Sequence, residues 1–125
     1  MTACPFCDPA EEAIFWRGRL VFGRWDGFPV SPGHALLVTH RHVADWFSAT
    51  REETRALIDG LEVARAAILA EHSPAGFNVG VNIGAAAGQT VPHLHVHLIP
   101  RYAGDVEDPR GGVRHVLPDL ANYLA

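Results

Sequence analysis

Long apolar runs, an excess of basic residues and cysteine are all scarce in this chain of 125 residues. No stretch approaches the ~20 consecutive apolar residues of a membrane span, so no membrane partner is expected. Met1 to Glu12 has neither a basic start nor an apolar run, so no signal peptide is expected and the cytoplasm is the default location. Net charge is −4, which argues against a broad basic surface for nucleic acid but permits a small local phosphate site. Neither the P-loop pattern nor the GxGxxG dinucleotide fingerprint occurs. Internal repeats and low-complexity segments are absent as well. Hydrophobic residues make up 48% and charged residues 19%, which places the chain among globular rather than disordered proteins. Residues 1–125 are expected to form one domain, with its core at about 4–102 and a tail at 103–125.

Histidine is plentiful: there are eight, and three alternate in His93-Leu94-His95-Val96-His97-Leu98-Ile99. Period two is the period of a β-strand, so the three imidazoles should line one face while Leu94, Val96 and Leu98 press the other into a core. Adjacent imidazoles then stand about 6.6 Å apart and the outer two roughly 13 Å. A Zn–N bond is only about 2.0–2.1 Å, so one ion cannot take all three. At pH 7 an imidazole with a pKa near 6.5 is mostly a neutral nucleophile, and a neighbouring imidazole can hold or donate a proton. That division of labour suits attack on phosphorus.

The run His93 to Ile99, with Gly88-Gln89-Thr90-Val91 before it and Pro100-Arg101-Tyr102 after it, resembles the signature of the histidine-triad family. The likeness extends from about Cys4 to Tyr102 and leans toward the bacterial nucleotide hydrolases and the fragile-histidine-triad type. It implies a nucleotidyl hydrolase or transferase that cuts at an α-phosphate, on a dinucleoside polyphosphate such as diadenosine tetraphosphate or another nucleotide conjugate. It also implies a homodimer with two active sites. By resemblance His95 is the nucleophile that becomes nucleotidylated, His97 assists the leaving group, and no catalytic cofactor is required. Related uridylyltransferases carry glutamine at the third triad position, so His97 favours hydrolysis. A transferase or phosphorylase of the same superfamily, and a zinc-stabilised nucleotide-binding protein without turnover, are the rival readings.

The two cysteines stand in Cys4-Pro5-Phe6-Cys7. A redox CxxC normally follows a strand, and only three residues precede this one. A disulfide is disfavoured in a reducing compartment. Half of a tetrahedral zinc site suits the spacing better. Resemblance supplies the other half as His42 and His93, giving one structural zinc per chain. On a strand-like path His40 and His42 share a face, and only the resemblance chooses His42.

Other candidate positions follow in order. Asp26 reads as a turn aspartate before Gly27, or, by resemblance, as the acid that binds ribose hydroxyls. His34 opens the buried run Ala35 to Thr39 and reads either as a satisfied core histidine or as a support for the triad. Asn82, Gln89 and Thr90 resemble residues that hydrogen-bond the phosphates, and the small residues Gly84 to Gly88 would let a ligand approach backbone N–H groups.

The fold expected is α+β: an antiparallel sheet of about five strands with one long helix and a short one. Strands are expected at Ile14–Arg17, Leu20–Trp25, His34–Thr39, Phe77–Ile83 and from His93. A capping box at Thr50 and Glu53 opens a helix that should run to about Glu71, with Leu57, Leu61, Ala64 and Ile68 as its apolar stripe. A short helix is expected from Asp119 to Leu124. The two arginines Arg110 and Arg114 read as part of a solvated loop, or as groups reaching a second phosphate.

Overall fold

The computed structural model describes residues 4–124. Five strands form one antiparallel sheet: β1 (Ile14–Arg17), β2 (Val21–Trp25), β3 (Ala35–Thr39), β4 (Gly76–Gly80) and β5 (His95–Arg101), in the order β1-β2-β3-β5-β4. A single long helix, α1 (Arg51–Leu69), crosses one face. The α+β expectation therefore holds.

The helix begins where its sequence says it should. Thr50 Oγ1 accepts from the Glu53 N–H at 3.1 Å, and Glu53 Oε1 accepts from the Thr50 N–H at 2.9 Å. Glu53 is buried and also takes the Arg41 guanidinium at 2.6 Å, so one carboxylate caps the helix and ties it to the end of β3. The helix ends two residues earlier than expected, at Leu69, where the Glu71 N–H bonds the Ile68 carbonyl three residues back in place of the four-residue α spacing. Its buried stripe is Glu53, Leu57, Gly60, Ala64 and Ile68. Gly60, rather than Leu61, takes the central seat: a Cβ there would lie 2.9 Å from Leu37 Cδ1 and push that side chain aside, so glycine lets helix and sheet approach closely.

Register sorts the sheet residues onto two faces. Ala35 pairs with Leu98 and Leu37 with Val96, and these four meet the helix in the main core with Val21, Leu57 and Ile68. Burying each of the leucine, valine and isoleucine side chains among them contributes roughly 1.5–3 kcal/mol. Leu36 pairs with His97 and Val38 with His95, so the histidines share the opposite face with Leu36, Val38 and their β2 partners Arg24 and Phe22. Phe6 covers part of that face, forming a second small core with Phe22, Leu36 and Val38.

Three expectations need correction. His93 lies outside β5, which starts at His95; its N–H bonds the Val91 carbonyl in a preceding bend, and its ring is fully buried. β4 ends at Gly80, the last residue with a partner in β5 (His97), so Asn82 sits in the loop beyond it. The terminal segment is a pair of 3₁₀ turns, Gly112–Val116 and Pro118–Leu120, rather than a helix at 119–124. The Leu120 and Ala121 carbonyls are taken by the Arg114 guanidinium, each at 2.9 Å. Among the described residues, no helix is long and apolar enough to cross a membrane.

Candidate functional site

At the start of β5 the chain gathers four ligand-type side chains. Cys4, Cys7, His42 and His93 place their sulfur and ring-nitrogen atoms within 4.8 Å of one another. The Sγ···Nδ1 separations are 3.3 Å for Cys4–His93, 3.1 Å for Cys7–His42 and 3.5 Å for Cys7–His93. A tetrahedral ion with Zn–S near 2.3 Å and Zn–N near 2.05 Å requires about 3.5 Å between such atoms. The His93 tautomer agrees: its Nε2–H donates to the Thr39 carbonyl at 2.7 Å, so the Nδ1 lone pair faces the thiols. A backbone carbonyl behind a ligating imidazole is the usual support of a metal site. This donor set fits zinc. His40 is occupied elsewhere, donating to the Gly18 carbonyl at 2.8 Å and stacking on Phe22. The sheet register thus separates His42 from His40, which strand periodicity alone could not do.

The carbonyl of His93 reaches the next histidine. It accepts from His95 Nδ1–H at 2.8 Å, which leaves the lone pair on His95 Nε2. The His95 and His97 rings stand 5.2 Å apart, centre to centre.

His97 belongs to a second chain of contacts. The Val30 peptide N–H donates to His34 Nδ1 at 3.1 Å, so His34 carries its proton on Nε2. That N–H lies 2.9 Å from His97 Nδ1 and 3.3 Å from Asp26 Oδ2. Accepting at Nδ1, His97 keeps its own proton on Nε2. Asp26, His34 and His97 are close enough to suggest a second ion. The Val30 N–H argues otherwise, since a proton on His34 Nε2 removes the lone pair an ion would need. Burial pushes the His97 pKa down to about 4, the nearby His95 and His34 rings add to the effect, and Asp26 opposes it. Burial likewise lowers His34 and His93. At neutral pH His97 is therefore an uncharged N–H donor.

A cavity of about 400 Å³ opens over these groups, lined among others by Phe6, Asp26, His34, Asn82, Thr90, His95 and His97. The size suits a nucleotide-scale ligand. Asp26 Oδ1 accepts from the Phe28 N–H at 2.8 Å, so the aspartate is both a turn residue and a wall of the cavity. A slightly larger cavity of about 470 Å³ lies by the tail, but neither His95 nor His97 lines it.

Gln89 is placed differently from the expectation. Its Oε1 accepts from the Gly84 N–H at 2.9 Å, and its Nε2 donates to the carbonyls of Ala44 at 2.6 Å and Val91 at 3.1 Å. The amide is spent on the backbone of the small-residue loop, where Gly84 and Gly88 hold φ values of 88° and 91° that favour glycine. The tail arginines are also committed: Arg110 pairs with Asp108 at 3.0 Å, and Arg114 holds the tail carbonyls. Sequence reasoning missed Phe6 and the Val30 peptide group. The former had a signal, an aromatic residue between two cysteines; the latter had none, because any residue but proline supplies that N–H.

Comparison with known proteins bears on this site. Residues 9–104 match the model of the HIT domain family. A protein of Mycobacterium tuberculosis named AP-4-A phosphorylase is 36% identical over 105 residues, covering 83% of this chain and 54% of that protein. The bis(5'-nucleosyl)-tetraphosphatase (asymmetrical) of Schizosaccharomyces pombe is 33% identical over 100 residues, covering 80% of this chain and 55% of that protein. The chain thus spans about half the length of these curated relatives. Among solved structures, a Zn-bound histidine triad family protein from Mycobacterium smegmatis superposes with a TM-score of 0.73 at 31% identity, covering 82% of this chain and 78% of that one. A HIT family protein from Bacillus anthracis gives 0.74 at 35% identity, covering 82% and 73%.

Proposed function

The chain belongs to the HIT domain family, and from that premise we propose that it hydrolyses a dinucleoside polyphosphate, such as diadenosine tetraphosphate, or another nucleotide conjugate at an α-phosphate. The observation that carries the reading is the 2.8 Å bond from His95 Nδ1–H to the His93 carbonyl. It leaves an unprotonated Nε2 on a ring that lines the cavity. In the first step Nε2 attacks the α-phosphorus; a P–N bond forms, and the P–O bond to the outer phosphates breaks. A nucleoside polyphosphate leaves as a stable anion, so a hydrogen bond from neutral His97 Nε2–H to the departing oxygen suffices. Water then attacks the same phosphorus, the P–N bond breaks, and the water's proton passes to solvent. One difficult displacement becomes two easier ones. His34 acts through His97 by fixing its tautomer.

Asp26 binds ribose hydroxyls through Oδ2, Asn82 and Thr90 donate to phosphate oxygens, and Gln89 contributes by holding the loop rather than by direct contact. One structural zinc per chain sits on Cys4, Cys7, His42 and His93; when bound it ties the N-terminal loop to the sheet, and four protein ligands leave no open position. No catalytic cofactor enters the scheme. The protein acts as a homodimer, for which the open sheet offers edge strands at β1 and β4, and works in the cytoplasm.

A second reading is phosphorolysis, favoured by the name of the M. tuberculosis relative; inorganic phosphate then replaces water in the second step. The test of the shared first step is quenching without acid during turnover of radiolabelled nucleotide, followed by peptide mapping. Label on the His95 peptide, stable to base and labile to acid, is expected. Full turnover by folded His95→Ala protein would overturn the mechanism.

A further inference from the structure

The cysteine loop does more in this structure than present two sulfurs. The Cys7 and Asp8 N–H groups both turn back to the Cys4 carbonyl, at 3.2 and 3.4 Å. The turn seats Phe6 in the small core with Phe22, Leu36 and Val38, where it is only 8% exposed. Its ring meets the reactive histidine edge to face, with centroids 4.8 Å apart at 61°. It also meets the ring of His93 at 5.9 Å and 88°, and the Arg24 guanidinium lies 5.8 Å from its centroid.

His95 needs such a neighbour. Its Nδ1–H bond to the His93 carbonyl selects the tautomer and the His97 ring flanks it at 5.2 Å, but its other side depends on Phe6 to keep the ring from tilting. The Phe6 ring against it narrows the remaining range of orientations, and edge-to-face contact adds stabilisation that an aliphatic group of similar bulk lacks. His93 links the same two places from the other side, with its ring among the ligand atoms and its carbonyl on His95.

We propose that Phe6 is a positioning residue for the nucleophile, and that the cysteine loop orients the reactive ring through Phe6 on one side and the His93 carbonyl on the other. The proposal rests on the reading of His95 as nucleophile. It assigns the metal loop a part in the rate of the covalent step in addition to its part in the fold. A nucleophile held within a narrow range of orientations attacks from the geometry the displacement requires, and small misplacements cost rate rather than affinity.

Phe6→Ala would open a hole in the small core, so Phe6→Leu, which keeps the apolar bulk and removes the ring, is the informative variant. Three quantities are measured on the full chain with diadenosine tetraphosphate: metal bound per chain, kcat and KM. Product-nucleotide affinity by calorimetry serves as a fourth. For Phe6→Leu the expected result is parental metal content, kcat lower by about three- to tenfold, the worth of one aromatic pair, and KM and nucleotide affinity within about twofold. Parental kcat would overturn the proposal. A loss lying wholly in KM would overturn it too, since Phe6 would then be a base contact. So would loss of metal, since the ring would then serve only the fold of the loop. His95→Ala run in parallel separates the two levels. If folded His95→Ala protein is inert while Phe6→Leu is unaffected, the positioning role alone falls; if His95→Ala protein turns over normally, both fall.

Discussion

Acid should destabilise this protein through His97 before most carboxylates titrate. Burial holds the His97 pKa at about 4 in the folded state, whereas in the unfolded chain an imidazole titrates near 6.5. Between those values the unfolded chain takes up a proton that the folded chain refuses. Stability is therefore complete above pH 6.5 and falls as pH drops toward 4. The gap corresponds to about 3 kcal/mol, and the His97 side chain is 21% exposed, so little of this is screened by water. Metal release at low pH acts in the same direction, so the comparison must be differential. Urea unfolding of the parent and of His97→Gln, followed by fluorescence of the three tryptophans from pH 7.5 to 4, provides it. Loss of metal is common to both proteins and cancels. The parent should lose about 3 kcal/mol more than the variant across that range. Parallel curves would refute the argument that burial holds His97 uncharged well below neutral pH.

The remaining expectations concern the site directly. His95→Ala should lower turnover by roughly 10³-fold or more while leaving the fold intact, as steady-state rates and circular dichroism would show. Protein purified without added zinc should carry close to one zinc per chain by elemental analysis, and Cys4→Ser/Cys7→Ser protein should carry almost none and unfold at a lower temperature. Asp26→Asn should weaken ribonucleotides more than their 2′-deoxy analogues in calorimetry, and equal losses would exclude a ribose contact. Products separated with and without inorganic phosphate should be the same set if water is the second nucleophile, and a new nucleoside diphosphate would indicate phosphorolysis.

What the sequence made legible was local. Thr50 and Glu53 bond to each other three residues apart, and the capping box appears as read. The alternation from His95 to Arg101 likewise sets the burial pattern of β5. Features set by distant parts of the chain were not visible. Cys4 and His93 are 89 residues apart, and only a family resemblance joined them before the fold did. His40 and His42 look equivalent until β2 places Phe22 beneath one of them. Gln89 reads as a phosphate ligand until the backbone of its own loop claims the amide. Leu61 reads as part of the helix's apolar stripe until Leu37 is seen against Gly60. In each case a partner in space, absent from the neighbouring sequence, decides the role.

The three histidines carry one spacing and three hydrogen-bonding environments, and the backbone accounts for the difference. If β5 ran back through His93, the register that pairs Val38 with His95 would set His93 opposite His40. Its carbonyl would then lie in the plane of the sheet, among groups that ladder bonds engage. The chain bends instead, with the His93 N–H on the Val91 carbonyl and the Leu94 N–H on that of Val43, both at 2.8 Å. The bend buries the His93 ring against Thr39, where it turns Nδ1 toward the two cysteines, and it frees the His93 carbonyl to take the proton of His95 Nδ1. His97, two residues into the strand, has no such carbonyl and takes its tautomer from His34 across the sheet. Straightening the bend would therefore disturb both the proposed metal ligand His93 and the proposed nucleophile His95 while leaving His97 as it is.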